Sequence, residues 1–196
     1  MPNVLVFVQH DQGKVLKGSL VAISAAKQLA AAWGFSGVEG ITLGVGAQTA
    51  ATEAAAYGLA SVRFSESPLF EKYRAEPYSR GVALAAKESG AQCVVGLSSS
   101  TGKDFLPRVA VLMDACQASD IIGVNTDGSL RRPMYAGNII ADVELATQIT
   151  TLWALDFDDT GAEIGEAQGA RRTRQELAEI KDDEAGKWQY VSHRKA

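Results

Sequence analysis

A chain that switches four times between strand-like and helix-like periodicity has few folds open to it. Here the alternation begins at the third residue. Asn3 to Gln9 is a β-rich apolar run, the pattern of a strand buried on both faces. Leu16, Leu20, Ile23, Ala26, Ala30 and Trp33 then recur at helical steps up to Gly34. Ile41 to Val45 predicts a second strand, Ala47 to Tyr57 an alanine-rich helix closed by Gly58, and Ser61 to Phe64 a third strand. Tyr78, Val82, Ala85 and Ala86 mark a helix that Gly90 ends, and Gln92 to Leu97 a fourth strand. Phe105, Val109, Leu112, Met113 and Cys116 follow at amphipathic spacing. Four βα units in succession predict an α/β fold with a doubly wound, mostly parallel sheet of Rossmann type.

The pattern changes after Ile121. Up to Phe157 the chain holds apolar β-type runs broken at Asp127-Gly128 and Gly137-Asn138, which read as hairpin turns. Antiparallel strands are therefore expected after the fourth βα unit, and Pro133 places its strand at an edge or at a strand start. Beyond Phe157 the composition shifts to Asp, Glu, Gly, Ala and Arg. Residues 1–157 are expected to form the α/β domain and residues 158–196 an acidic linker and tail. That tail would hold a short helix around Arg172 to Ile180, and a last strand at Trp188 to Val191 tying it back.

Composition narrows the function. Of 196 residues, 46% are hydrophobic, enough for an ordinary core, and no apolar run reaches the ~18 residues of a membrane span. Nothing at the start reads as a signal peptide, so the expectation is a cytoplasmic protein without membrane insertion. Net charge is −4, and the one basic cluster, Arg171, Arg172 and Arg174, is followed at once by Glu176 and Glu179. That distribution argues against nucleic-acid binding. Cys93 and Cys116 sit in apolar surroundings with no CxxC spacing, as buried thiols do.

The segment richest in candidate chemistry is Ser98-Ser99-Ser100-Thr101-Gly102-Lys103-Asp104, which leaves the fourth strand and opens a helix. Ligands of open α/β sheets bind outside the carboxyl ends of strands, where strand order reverses. Ser99, Ser100, Thr101, Gly102 and Lys103 could hold an anion there through backbone N–H groups, hydroxyls and one charge. The bland alternative is that Ser100 or Thr101 merely caps the helix. A Walker A loop is excluded: Gly96 and Gly102 enclose five residues, and Asp104 stands where a hydroxyl should hold magnesium. Asp104 and Arg108, at i and i+4, suit an exposed helix pair worth only ~0.3–0.5 kcal/mol.

Other features carry less. His10-Asp11 lies at a strand end without a nucleophile, and reads as a structural hydrogen bond. Asp156 to Gly161 begins like a calcium loop, but Ala167 stands where a bidentate Glu is required. Tyr135-Ala136-Gly137-Asn138 reads as a hairpin turn with an edge aromatic. No catalytic residues and no metal ligands are expected.

Three stretches, taken in order, resemble one family. Val4-Leu5-Val6-Phe7-Val8-Gln9-His10-Asp11, then Ser98 through Ala110, then Arg132-Pro133-Met134-Tyr135-Ala136-Gly137-Asn138 are similar to the amino-terminal domain of the electron transfer flavoprotein alpha subunit. The resemblance runs from about Asn3 to Phe157. It implies an adenine-nucleotide hydrolase-like α/β fold that pairs with a similarly folded beta subunit and forms the base for a flavin domain. In that family an FAD takes electrons from dehydrogenases, such as the acyl-CoA dehydrogenases of fatty acid β-oxidation, and passes them towards a quinone oxidoreductase. The family's FAD-binding second domain has no counterpart in this sequence, and Leu152-Trp153 stand where an Arg is expected. The implied role is an electron-carrier component rather than a catalyst in its own right, with FAD in the assembled complex and none bound by this chain alone. Asp104, Arg108, Arg132, Tyr135, Gly137 and Asn138 become candidates for domain or subunit contacts. Three readings stay open: a scaffold within a flavoprotein, a stand-alone nucleotide-binding module using the Ser98 loop, and an interaction protein without ligand.

Overall fold

The computed structural model describes residues 3–145, together with the backbone of residues 150–154 and 189–192. Strand β1 (Asn3–Phe7) is buried along its whole length. Its pleat sends Val4 and Val6 into one core layer and Leu5 and Phe7 into the other. A small hairpin, β2 (His10–Asp11) and β3 (Lys14–Val15), follows, and nothing in the hydrophobic pattern signals it. Helix α1 (Lys17–Ala32), strand β4 (Val38–Leu43), helix α2 (Ala47–Ala55) and strand β5 (Ser61–Ser65) come next. A single 3-10 turn at Pro68–Phe70 leads to helix α3 (Ala75–Ser89), strand β6 (Ala91–Leu97) and helix α4 (Ser100–Met113).

The two layers follow from alternation along the strands. Val4, Val6, Val8, Val62 and Val95 meet Ala22, Ile23, Ala26 and Leu29 of α1 and the alanine face of α2. Leu5, Phe7, Ile41, Leu43 and Val94 meet Val82 of α3 and Phe105, Leu106 and Val109 of α4. Edge-to-face contacts of Phe7 with Phe105 (4.8 Å) and Tyr78 (6.2 Å) lock that second layer.

The later strands are β7 (Cys116–Ile121), β8 (Gly123–Val124), β9 (Leu130–Met134), β10 (Ile139–Val143), β11 (Thr150–Ala154) and β12 (Gln189–Ser192). The main sheet has the order β12-β5-β4-β1-β6-β11-β7. All neighbours in it run parallel except β12, which pairs antiparallel with β5. The α/β fold with a mostly parallel sheet is thus as expected, and antiparallel strands do follow the fourth βα unit.

Their placement differs from the expectation in three ways. Strands β8, β9 and β10 form a separate three-stranded sheet instead of widening the first. The strand at Thr150–Ala154 returns to the main sheet in parallel, between β6 and β7. Pro133 lies on β9, the middle strand, yet β8 reaches only Leu130 and Arg131, so at Pro133 the strand is paired on one side alone. Cys116 opens β7 and does not end a helix. The last strand expected near Val191 is β12. The short helix at Arg172 to Ile180, the loop at Asp156 to Gly161 and the side chains of Leu152 and Trp153 lie outside the described residues.

Candidate functional site at the carboxyl edge of the sheet

Strand order reverses beside β1: β4 and β5 lie to one side, β6, β11 and β7 to the other. The crevice between the carboxyl ends of β1 and β6 is where an α/β fold of this kind offers a ligand site. Gln9 follows β1 and the Ser98 loop follows β6, so the topology itself brings them together.

Side chains bridge that crevice. Ser99, extended at φ −78° and ψ 168°, is the amino-terminal cap of α4, and its Oγ accepts from the Gly102 N–H at 3.1 Å. The Ser99 hydroxyl donates in turn to Gln9 Oε1 at 2.7 Å, and its carbonyl accepts from the Lys103 N–H at 2.8 Å. The capping residue is therefore Ser99, where the sequence pointed to Ser100 or Thr101. Two residues decide this. Gly102 lies against the Leu97 carbonyl, where a Cβ would stand 1.9 Å from the oxygen, and Gln9 gives Ser99 a second partner. The Thr101 carbonyl accepts from the Tyr73 hydroxyl at 3.3 Å, and Ser100 is exposed.

The charges around the loop are also matched from within. Buried Ser98 donates through Oγ to Asp120 Oδ1 at 3.1 Å, and Lys103 Nζ stands 3.6 Å from the same oxygen. Asp120 holds a left-handed φ of 57°, an uncommon conformation for a residue with a side chain. Sequence reasoning missed Asp120, Gln9 and Tyr73 as partners of the loop, since each reaches it through tertiary packing and not through spacing along an element.

Asp104 departs from its expected partner. Its carboxylate accepts from the Tyr73 hydroxyl at 2.7 Å, and among the described residues no ion pair joins it to Arg108. Burial, then that hydrogen bond to Asp104, pushes the Tyr73 phenol above its usual range. His10 is structural, as expected, but its partner is a backbone carbonyl: Nε2 lies 3.1 Å from the Leu43 oxygen. Burial lowers the His10 pKa against the opposing influence of that bond and of Asp11 and Glu66.

The other candidates lie elsewhere. Arg132, half-buried on β9, donates from Nη2 to Ser119 Oγ of β7 at 3.3 Å. Tyr135, Gly137 and Asn138 form the β9–β10 turn, where Tyr135, Ala136 and Gly137 hold φ values of 51°, 54° and 86°. Tyr135 is 71% exposed there, beside exposed Met134, Ile139 and Ile140. The structure thus joins Ser98, Ser99, Gly102 and Lys103 in one loop, brings Arg132 to Ser119 beside Asp120, and leaves Tyr135, Gly137 and Asn138 in the β9–β10 turn.

Within the loop the Gly102 N–H donates to Ser99 Oγ, the Lys103 N–H donates to the Ser99 carbonyl, and the Lys103 ammonium faces Asp120. No helix among the described residues is long and apolar enough to cross a membrane.

Comparison with known proteins bears on the family. Residues 4–156 match the electron transfer flavoprotein domain family. The mitochondrial electron transfer flavoprotein subunit alpha of Arabidopsis thaliana is 27% identical over 197 residues, covering 96% of this chain and 53% of that protein. The alpha subunit of Pseudomonas aeruginosa is 31% identical over 84% of this chain and 52% of its own length. That of Paracoccus denitrificans is 33% identical over 76% and 49%. The chain spans about half the length of the curated relatives it matches. With the α/β fold and the match over residues 4–156 in agreement, the chain belongs to the electron transfer flavoprotein domain family.

Proposed function

We propose that this chain acts as a scaffold in an electron-transferring assembly: it holds a beta-type subunit and supports the flavin domain of that assembly. FAD bound in such an assembly supplies the redox chemistry, receiving electrons from dehydrogenases and passing them towards a quinone oxidoreductase. The contribution of the described residues is a rigid platform. The observation that carries this reading is the family match over residues 4–156 combined with a loop tied to the end of β1 by the Gln9–Ser99 hydrogen bond. A loop closed by the Gln9–Ser99 bond suits a load-bearing element better than an anion receptor.

Gel filtration of the purified chain with a family beta-type subunit, and separately with FAD, tests the reading. The expected outcome is co-elution with the subunit and no retained yellow absorbance with FAD. Stoichiometric FAD on the isolated chain overturns it. Tight adenine-nucleotide binding, abolished by Lys103→Ala, makes the chain a nucleotide-binding module instead.

A further inference from the structure

Cys93 and Cys116 are free thiols, and one strand keeps them apart. Thr150 of β11 is the register partner of Cys93 on β6 and, on its other side, of Cys116 on β7. In-register partners of a parallel ladder carry their side chains on one face. Cys93 and Ala118, which alternates onto the same face as Cys116, both belong to the core layer under α1. Neighbouring strands stand about 4.8 Å apart, so the two cysteine Cα atoms lie roughly 9.6 Å from one another, beyond the ~7 Å limit for a disulfide. Without β11 the arithmetic reverses. Strands β6 and β7 are joined through α4 as one βαβ unit, and strands so joined ordinarily lie side by side. Closing the gap in the present register brings the Cα atoms to about 4.8 Å, inside the roughly 4.4–6.8 Å range of disulfides. The sequence of β11 also suits an interior position less well than that of β6. Strands buried on both faces read as hydrophobic runs, as Cys93-Val94-Val95 does, whereas β11 opens with Thr150-Thr151.

We infer that Cys93 and Cys116 are a redox-sensitive pair guarded by β11: when β11 leaves the sheet, β7 closes on β6 in a non-native pairing, and the thiols oxidise to a disulfide that keeps β11 out. The oxidant is a small-molecule disulfide such as oxidised glutathione. The Cys116 thiolate attacks one of its sulfurs and releases the first glutathione; the Cys93 sulfur then displaces the second from the mixed disulfide. Two protein thiols are oxidised, one glutathione disulfide is reduced, and the two cysteine protons end on the two glutathione thiols. Cys116 attacks first because it is only half-buried. Cys93 is fully enclosed, and burial pushes its thiol well above the usual range, away from the reactive thiolate. With β11 in place the pair is therefore inert.

The test adds oxidised glutathione to the full chain across a urea series, blocks the remaining thiols, and maps peptides by mass spectrometry without reduction. At urea concentrations that leave the helical circular dichroism intact, a monomeric Cys93–Cys116 disulfide accumulates, and the amides of residues 151–154 lose their protection from hydrogen exchange. Dithiothreitol restores that protection. Cys116→Ser, under the same conditions, gives no such species and stays protected. Thr151→Pro, which removes one backbone donor from an interior strand, yields the disulfide without urea. The inference is wrong if the disulfide appears only once the helical signal is lost, or if it forms while residues 151–154 stay protected. Should Thr151→Pro not fold, the urea series on the unaltered chain decides by itself.

Discussion

Gly102 has no room for a side chain, because its α-hydrogens face the Leu97 carbonyl at the end of β6. Gly102→Ala must push the loop off that strand, and the expected loss is about 3 kcal/mol or more by urea denaturation. A glycine in a hydroxyl-rich loop at a strand end reads equally well as a phosphate glycine or as a packing glycine. What separates the two is the distance to a carbonyl of the preceding strand, which no spacing rule supplies. His10 makes a prediction of the opposite kind. Its folded-state pKa lies below the ordinary value near 6.5, because burial disfavours the imidazolium. The unfolded chain therefore binds the proton more readily. The stability linked to His10 is complete above pH 6.5 and is lost as pH falls from there through the lowered folded value. Denaturation midpoints measured across that window should fall with acid, and His10→Phe should flatten the part of the slope that His10 contributes.

The helical period of α4 is legible in the sequence, but its buried face is displaced from the expected one. Phe105 and Val109 are buried as expected, whereas Leu112 and Met113 are only half-buried and Leu106 is fully enclosed. The reason is Gly96 on β6: without a Cβ, the strand lets Leu106 settle where an added methyl would lie 2.7 Å from its Cδ1. Leu106→Ala should accordingly lose ~2–5 kcal/mol, and Leu112→Ala clearly less, in parallel thermal melts. Charge inside the sheet was less legible still. No strand period marks Glu39 of β4 and Arg63 of β5 as partners, yet they pair at 3.1 Å with Arg63 only 6% exposed. Asn3 Nδ2 donates to Glu39 Oε1, and Arg63 Nη1 to the Ala85 carbonyl, so the pair ties β1, β4, β5 and α3 together. Glu39→Ala leaves that guanidinium buried without its carboxylate and should destabilise by ~3–5 kcal/mol. Arg63→Met together with Glu39→Leu should recover most of the loss, because packing replaces a desolvated pair.

On the scale of the molecule, the alternating βα pattern carried the fold class, and the turn pairs Asp127-Gly128 and Gly137-Asn138 carried the antiparallel hairpins. Periodicity does not reveal which strands lie side by side. Nothing local distinguishes Thr150–Ala154, which enters the main sheet between β6 and β7, from Ile139–Val143, which stays in the small one. The contact candidates were found by resemblance alone, since Tyr135 and Asn138 are exposed and obey no packing rule. Strand β12 gives a prediction at this scale. It covers the outer edge of β5 along Ser61–Phe64, an edge that would otherwise present unpaired backbone groups. Removing residues 188–196 should lower the melting temperature and raise the apparent mass in sedimentation velocity, as bare β5 edges find one another.

The position of β11 has a consequence for how the protein is made. During synthesis β6 and β7 emerge first, with an unfilled strand position between them, and the chain builds its whole small sheet before residues 150–154 appear. Until then β7 has no place in the main sheet, and the edge of β6 stands open to any other nascent chain. The protein therefore commits late, and the β6 edge stays open on the ribosome until that strand slides into its slot.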